Sequence, residues 1–347
     1  MKKALNILLV VLFGSMMFMA YGAGNKELKI ITDRTETHLQ ALFDYYTKTT
    51  GVKITAVFLE SGLLSRLQAR PTEADIVITN TLNNLEKAKQ EGLLQPFASS
   101  LITKNVKADF RDPDNNYFTT SYRARAIYYS KDRIKASELS TYQDLASPKW
   151  KGRVCIRSGY HEYNLCFFSQ MAVTEGLEKT REFIIGLHEN LARTPAGNDR
   201  EQVRMIYEGK CDVAIVNSYY MGIMLSNEDQ KAWGLSAKVF FPNQNEKGSY
   251  ILCSGAGLTT AKNSVKEATK FMEFMTGDYA QQYFANTLNE YSINDKLPLT
   301  EVNKHLGDEQ PEVKEGKFKI NYVPLADIEK NRPEIIKILD EINFDNK

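Results

Sequence analysis

The stretch ELKIITDRT at residues 27–35 decides the fold class, because an apolar strand pattern passes there directly into a polar turn. An amphipathic helix pattern follows, carried by the apolar residues Leu39, Leu42, Phe43 and Tyr46. Gly51 ends this helix, and residues 52–58 read as a second strand. A helix pattern from Leu63 and a third strand at residues 76–78 continue the series. Such β-α-β repeats predict an α/β fold with a mostly parallel sheet.

The pattern repeats later in the chain. Residues 126–129 and 154–156 read as further strands, and residues 328–344 read as a helix. The runs 239–242 and 251–257 are interpreted as strands that cross back toward the first half of the fold. The chain has 347 residues, more than one hydrophobic core usually supports, so we expect two lobes with a cleft between them.

Residues 1–23 have the layout of a secretory signal peptide: Lys2 and Lys3 precede an apolar stretch that ends in small residues up to Ala23. The mature protein is therefore expected to be exported. No later segment approaches the roughly 20 apolar residues of a membrane span, so no membrane insertion is expected after signal removal. Without Lys2 and Lys3, the 44 basic residues become 42 against 43 acidic ones, a net charge of −1 that does not favour nucleic acid.

The chain has four cysteines, Cys155, Cys166, Cys211 and Cys253. An oxidising compartment permits disulfides, and three pairings are possible between which the sequence does not choose. None of the four has the C-x-x-C spacing that is typical of a zinc site. Free cysteines buried as small apolar residues are the alternative.

Two adjacent phenols, Tyr219 and Tyr220, follow the apolar run at residues 213–216, which reads as a buried strand. Ligands in open α/β sheets are held where strands end, because the backbone is exposed there above a rigid sheet. A deprotonated phenol is a hard oxygen donor that suits ferric iron, and the metal must displace a proton whose ordinary pKa is about 10. The alternative is that the two rings simply pack together at a strand end.

Several separate motifs resemble those of the periplasmic iron-binding proteins that serve as substrate-binding components of bacterial ABC importers. The stretch NSYYMG at residues 217–222 resembles the family signature Asn-Thr-Tyr-Tyr-x-Gly, whose two tyrosines coordinate iron. Residues 158–164 resemble the segment that bears a third ligand tyrosine, here Tyr163. Further similar stretches are NDR at 198–200, FPNQ at 241–244 and SGAG at 254–257. The resemblance covers nearly the whole chain after the signal segment.

The resemblance implies an α/β fold of the type II periplasmic binding protein class, in which hinge-linked lobes surround a central cleft. Lobe 1 would comprise residues 24–116 and 244–293, and lobe 2 residues 117–243 and 294–347. The family closes about its hinge when it binds a ligand.

The resemblance also implies the function: capture of Fe(III), or of Fe(II), by Tyr163, Tyr219 and Tyr220 and delivery to an inner-membrane ABC permease. Iron is the cargo, and a carbonate-like anion could complete its coordination. The protein is expected in the periplasm as a monomer without catalytic residues.

The ligands that the family usually takes from its first lobe are absent. Relatives carry a turn resembling Ser-x-Arg-His-Tyr, whereas residues 32–36 read TDRTE, so that Thr35 and Glu36 occupy the two donor positions. A carboxylate that some relatives use corresponds to Asn80, a poor ligand for iron. Glu36 is a hard oxygen donor that could replace the missing ligand, and His38 is a second candidate. The alternative for Glu36 is a solvated carboxylate stabilised by the helix dipole.

Arg34 and Arg123 are candidate contacts to an anion. Arg123 and Arg125 resemble paired arginines near the family's hinge, and a bidentate guanidinium suits a carbonate-like anion. One of the pair is expected to point into solvent or to form an ion pair. Arg34 is either a partner of an anion or carboxylate in the cleft or a structural residue of its turn. Residues 160–162 are candidates to contact the ligand residues rather than the metal.

Two rival functions remain open. The first is a periplasmic binding protein for an anionic organic solute, held by Arg34 and Arg123 without a metal. The second is a secreted enzyme that uses Glu36 or His161 as an acid or base. The sequence contains no G-x-S-x-G or H-E-x-x-H motif, which disfavours the enzyme.

Overall fold

A computed structural model describes residues 26–262 and 264–346 of the chain. The expected signal peptide, residues 1–23, lies outside the described residues. The strands are β1 (Glu27–Thr32), β2 (Lys53–Phe58), β3 (Ile76–Thr79), β4 (Tyr117–Ser130), β5 (Val154–Cys155), β6 (Val213–Asn217), β7 (Ala237–Phe240), β8 (Ser249–Leu258), β9 (Tyr291–Ser292) and β10 (Ile320–Asn321).

The helices alternate with these strands. They are α1 (Glu36–Thr50), α2 (Leu63–Ala69), α3 (Leu82–Gln90), α4 (Ser100–Asn105), α5 (Glu162–Glu175), α6 (Leu177–Glu189), α7 (Asp199–Tyr207), α8 (Tyr220–Leu225), α9 (Lys231–Ser236), α10 (Val265–Met275), α11 (Asp278–Leu288), α12 (Glu301–Lys304) and α13 (Leu325–Glu341). The α/β class predicted from the sequence is confirmed.

The expectation of a mostly parallel sheet is wrong. The main strand order is β2-β1-β3-β8-β4-β6-β5, with β7 and β9 on β4 and β10 on β8. The predicted β1-β2 and β1-β3 pairs are parallel, as β-α-β connections require. Every pair that β4 makes is antiparallel, as is the pair of β3 with β8. The departure comes from β4 and β8, which run antiparallel to each other, while β8 is also antiparallel to β3 and β4 to β6.

β4 and β8 are the long strands that join two parts of the sheet. The first half of β4 pairs with β8, while Arg125 to Tyr129 pair with β6 and the last four residues pair with β7. β8 was predicted to cross back and does so, pairing with β3 through residues 255–258. The run at 239–242 does not, because β7 stays beside the end of β4.

The hydrophobic core is divided in the same way. One cluster packs β1 and β3 against α1, α10 and α11, with Leu28, Phe43 and Phe271 fully buried in it. Another cluster packs β6 and the end of β4 against α5 and α6, with Phe167 and Ile215 at its centre. Two cores on either side of two connecting strands are the structural signature of two lobes.

A single disulfide joins Cys155 on β5 to Cys211, just before β6, across a Cα–Cα distance of 6.0 Å. Cys166 is a free, buried thiol and Cys253 a free, half-buried one. The observed bond belongs to the pairing Cys155–Cys211 with Cys166–Cys253. The second bond of that pairing is not formed, because Cys166 and Cys253 are free.

Candidate functional site

Tyr219 and Tyr220 lie where the sequence places them, between the end of β6 and the start of α8. Their ring centroids are 4.1 Å apart with planes tilted by 31°. The turn beneath them is fixed to β4, because Ser218 donates its backbone N–H to the carbonyl of Ala124 at 2.9 Å and its hydroxyl accepts from Ala124 at 3.1 Å. A rigid strand end therefore presents both phenols.

Gly222 closes the tyrosine motif for a packing reason. A Cβ at this position would lie 2.1 Å from Oδ1 of Asn289, the residue that ends α11. No side chain fits in this gap, so α8 approaches the end of α11 closely only with glycine here. The glycine of the motif thus holds the tyrosine turn against a distant segment.

Tyr163 lies in the first turn of α5 and is only 6% exposed. His161 begins the helix by accepting a hydrogen bond from the Tyr163 N–H at its Nδ1, and the two rings meet edge to face at 4.7 Å. Burial and the charge of Arg157 lower the pKa of His161 to about 4, so the imidazole is neutral at physiological pH. The guanidiniums of Arg123 and Arg157 each lie 5.4 Å from the centroid of the Tyr163 ring. Tyr163 therefore sits among cations.

The three phenols are close enough to affect one another. Burial raises the pKa of Tyr219 well above its ordinary value, and the charges of Tyr163 and Tyr220 raise it further. Burial likewise raises the pKa of Tyr220, with a further contribution from Tyr163. Burial disfavours the charged form of Arg123, yet Tyr163, Glu290 and Tyr219 outweigh it and raise its pKa. The site therefore joins phenols that resist ionisation to a buried cation.

Arg123 and Arg125 have different surroundings although both are completely buried. Arg125 forms an ion pair with Asp199 at 2.5 Å and also donates to Asn217 at 3.1 Å and Asn164 at 2.6 Å. Among the residues that the structure describes, Arg123 has no direct carboxylate partner, and it donates instead to Ser254 and to the backbone carbonyl of Asn80. Neither arginine points into solvent. Residues two apart on a strand share one face of the sheet, and the face of β4 that carries Arg123 and Arg125 is covered by other parts of the protein.

Arg34 is committed to an internal ion pair. Its guanidinium donates two hydrogen bonds to the carboxylate of Glu290, at 3.2 and 3.0 Å, and Ser121 donates a third to the same carboxylate. Burial would raise the pKa of Glu290, but Arg34 and Arg123 hold it below its ordinary value. The structure thus gives Arg34 the carboxylate partner that the sequence left open.

The contacts of Asp33 and Asn80 were not predicted from the sequence. Asp33 accepts hydrogen bonds from the backbone of Asn80 at 2.6 Å and from the Asn84 side chain at 2.8 Å, and burial raises its pKa. The amide of Asn80 donates to the Tyr163 oxygen at 2.9 Å. A cavity of about 330 Å³ opens beside them, lined among others by Asp33, Glu60, Asn80, His161, Glu162 and Tyr163. The hydrogen bond between Asn80 and Tyr163 joins residues 83 positions apart, so no local sequence pattern predicts it.

The remaining candidates differ in their surroundings. Glu36 is exposed at the first residue of α1 and does not line the cavity. His38 is half buried, and burial lowers its pKa. Tyr160 donates to Asp340 at 2.7 Å on the outer side of α13. Glu162 lines the cavity but forms a two-bond ion pair with Arg332.

Within residues 26–262 and 264–346 no group of three or more His, Cys, Asp or Glu side chains is arranged to hold a metal ion. Nor does any helix in this part of the chain combine the length and apolar composition of a membrane span. The hard oxygen donors at this site are the phenols and the carboxylates that line the cavity, Asp33, Glu60 and Glu162.

A family model described as bacterial extracellular solute-binding protein matches residues 72–320. The chain belongs to this family. The solute-binding protein is 35% identical over 288 residues to iron uptake protein A1 of Synechocystis, covering 82% of this chain and 80% of that protein.

Two solved structures give the same fold. The solute-binding protein superimposes with a TM-score of 0.84 and 35% identity on ferric iron-binding protein A of Mannheimia haemolytica in an open conformation, covering 93% of this chain and all of that one. It superimposes equally well, with 31% identity and coverage of 92% and 99%, on the Trichodesmium protein IdiA (FutA) in complex with iron and citrate ligands. The family resemblance and the type II fold, with hinge-linked lobes about a cleft, are confirmed.

Proposed function

We propose that this solute-binding protein captures ferric iron in its cleft through Tyr163, Tyr219 and Tyr220 and delivers it to an ABC importer. The observation that carries the proposal is the gathering of three phenols from α5 and from the β6–α8 turn into one buried group next to Arg123. A packed pair of rings accounts for Tyr219 and Tyr220 but not for a third phenol beside the buried guanidinium of Arg123. The names of the relatives, an iron uptake protein and two iron-binding structures, support the same cargo.

The charges of the site favour Fe(III) over Fe(II). Three phenolates neutralise a trivalent cation, and burial, by raising the pKa of both Tyr219 and Tyr220, keeps these two phenols protonated until a metal displaces their protons. Arg123 leaves one positive charge beside this neutral group, which a carbonate-like anion bound to the metal would balance. Arg34 is not available for an anion, because Glu290 already occupies its guanidinium. The rival function, an anionic solute held by Arg34 and Arg123, thus lacks one of its two cations.

In this proposal, Glu36 would supply a first-lobe oxygen only after the cleft closes. It lies at the N-terminus of α1, directly after the turn that carries Arg34. The competing role is a solvated carboxylate that interacts with the helix dipole. Arg123 serves as the anion contact, because its side chain lies next to Tyr163 and has no carboxylate of its own.

We assign residues 24–116 and 244–293 to lobe 1 and residues 117–243 and 294–347 to lobe 2. The separate cores around β1–β3 and around β5–β7 support this division, with β4 and β8 as the hinge. The loaded, closed monomer would dock on an inner-membrane permease from the periplasm. Hinge closure about the ligand is the usual signal in such proteins.

A ferric titration of the purified metal-free protein, followed by visible absorbance, tests the proposal. The parent should develop a ferric-phenolate band that saturates at one equivalent. Tyr219→Phe and Tyr220→Phe should each remove or strongly reduce the band, and Tyr163→Phe should weaken it. Glu36→Gln should keep the band and lower the affinity if Glu36 is a ligand, whereas a helix-dipole role leaves both unchanged.

Tyr160→Phe is the matched control, because Tyr160 is a neighbouring phenol that is 37% exposed and bonded to Asp340. Its variant should titrate like the parent. A parent that binds no ferric iron, or that binds it without a phenolate band, would refute coordination by these tyrosines. Binding of an organic anion by metal-free protein would then favour the rival function.

A further inference from the structure

Asn80 is the point at which the β1–β3 side of the fold touches a candidate ligand. It follows the last residue of β3 and precedes α3, so it lies at the strand end that faces the cleft. Its side-chain amide donates a hydrogen bond to the Tyr163 oxygen at 2.9 Å, across to the first turn of α5. This hydrogen bond therefore reaches the phenol oxygen from the opposite lobe.

The position of Arg123 favours this orientation of the amide. A guanidinium can only donate hydrogen bonds, and its Nη2 lies 3.5 Å from the Asn80 amide oxygen. The amide oxygen is the group that faces Arg123, and the NH₂ group faces Tyr163. Asn80 thus presents a donor, and not a lone pair, at the phenol oxygen.

The backbone of Asn80 is held as firmly as its side chain. Its N–H donates to Asp33 at 2.6 Å, and its carbonyl accepts from Arg123 at 2.6 Å and from Ser254 at 3.3 Å. Arg123 also donates to the Ser254 hydroxyl at 2.8 Å, which ties this arrangement to β8. Glycine at position 255 lets α3 pack directly on β8, because a Cβ there would lie 2.3 Å from Leu82. Asn80 is therefore preorganised rather than adaptable.

We propose that Asn80 is a positioning residue through which the first lobe senses a loaded Tyr163, by donating a hydrogen bond to the metal-bound phenolate oxygen instead of ligating the metal. The inference rests on the proposed function, since it concerns the same three tyrosines. Asn80, which stands where some relatives carry a carboxylate, thereby acts as a hydrogen-bond donor to a ligand residue.

The coupling follows from the chemistry of the acceptor. A hydrogen bond to an ionised oxygen is about twice as strong as one to a neutral oxygen. A phenolate bound to iron keeps a lone pair that can accept the Asn80 N–H. Iron binding therefore strengthens the hydrogen bond from Asn80 to Tyr163, which forms only when the two lobes are together. The gain in the strength of this bond favours the closed form of the loaded protein.

The test compares ferric protein carrying Asn80→Leu with the parent, using the absorbance band and the rate of iron loss to a competing chelator. Leucine keeps the size of asparagine and removes the donor. Without the hydrogen bond the phenolate is a better electron donor to Fe(III), so the band should move to longer wavelength. Iron should be lost about tenfold faster or more, the expected effect of a hydrogen bond to a charged group. Asn80→Ala should change both quantities in the same direction if the leucine variant does not fold.

Asn83→Leu is the matched control, because Asn83 is a buried asparagine in the adjoining helix α3 whose amide bonds to Glu329 and not to a tyrosine. Its band should stay at the position of the parent band. A double-mutant cycle supplies the second control: in a Tyr163→Phe background, Asn80→Leu should have little further effect on iron loss. An unshifted band in both Asn80 variants, or an undiminished effect without Tyr163, would overturn the inference. Absence of any band in the parent would instead refute the proposed function.

Discussion

The ion pair of Arg34 with Glu290 joins two residues that are 256 positions apart, and both side chains are almost completely buried. Ser121 adds a hydrogen bond to the same carboxylate. Removing one member of such a pair leaves an uncompensated charge in a place that water does not reach, which is costly. Arg34 therefore stabilises the fold, and the structure gives it no free guanidinium surface for an anion.

Replacing Arg34 with methionine should lower the free energy of unfolding by about 3–5 kcal/mol, the usual cost of breaking a buried ion pair. The ferric-phenolate band of the folded variant should match that of the parent. Urea denaturation and ferric titration measure the two quantities. A variant with parental stability and reduced iron affinity would show instead that Arg34 contacts the anion. Lys53→Met is a suitable control, because Lys53 pairs with Glu27 at 3.8 Å on the surface.

Sequence motifs were sufficient to find the phenols but not their neighbours. Tyr219, Tyr220 and Tyr163 stand in local patterns that can be read from consecutive residues. The partner of Arg34 and the contact between Asn80 and Tyr163 depend on chain segments brought together from 256 and 83 positions away. A single sequence carries no record of such pairs. That Asn80 is a poor ligand for iron stays a prediction, and its contact with Tyr163 became visible only in the folded structure.

At the scale of elements, local periodicity predicted β1, β2, β3, β6 and the C-terminal helix. It did not predict the direction of β4 and β8. β8 pairs with β3 and β4 pairs with β6, each across a long stretch of chain, and periodicity says only that a strand exists. The antiparallel crossing strands are nevertheless what joins the two lobes. The hinge was thus inferred from family resemblance and not from the strand patterns.

The disulfide between Cys155 and Cys211 stabilises the edge of the sheet at β5 and β6. It closes a loop with a sequence separation of 56, for which the chain-entropy relation gives about 4 kcal/mol and engineered bonds typically give 2–4. Replacing both cysteines with alanine should lower the free energy of unfolding by about this amount. Thermal unfolding with and without reductant measures it.

The parent should lose stability when reductant is added, and the double alanine variant should not respond. Cys253→Ala is the control, because Cys253 is a free thiol and its removal should leave the response to reductant intact. A parent whose melting temperature is the same with and without reductant would contradict a structural role for this bond.

At the scale of the whole molecule, α13 links the two lobes beside the site. Glu162, next to Tyr163, pairs with Arg332 on α13. One turn earlier on α13, Glu329 pairs with Lys87 at 3.5 Å and accepts a hydrogen bond from Asn83, both on α3. The helix therefore contacts α5 and α3 at once. Any opening of the cleft must change these polar contacts as well as the Asn80 bond, so closure and ligand binding share one set of interactions.

Iron affinity should rise steeply with pH. Burial raises the pKa of Tyr219 and Tyr220, so both phenols carry their protons in metal-free protein throughout the physiological range, and binding must release them. Each released proton changes the apparent affinity about tenfold per pH unit, so three phenolates give up to about a thousandfold. The raised pKa values affect folding only above a pH of about 10, because below it the phenols are protonated in the folded and unfolded chain alike.

Chelator competition between pH 6 and pH 8, corrected for protonation of the chelator and hydrolysis of the ferric ion, gives the number of protons released as the slope of log affinity against pH. The parent should show a slope near three, and Tyr220→Phe a slope lower by about one if it still binds iron. A slope near zero would mean that no phenol ionises when iron binds, and the metal would have to be held by groups already charged. The slope therefore separates phenolate coordination from binding by ligands that release no proton when iron binds.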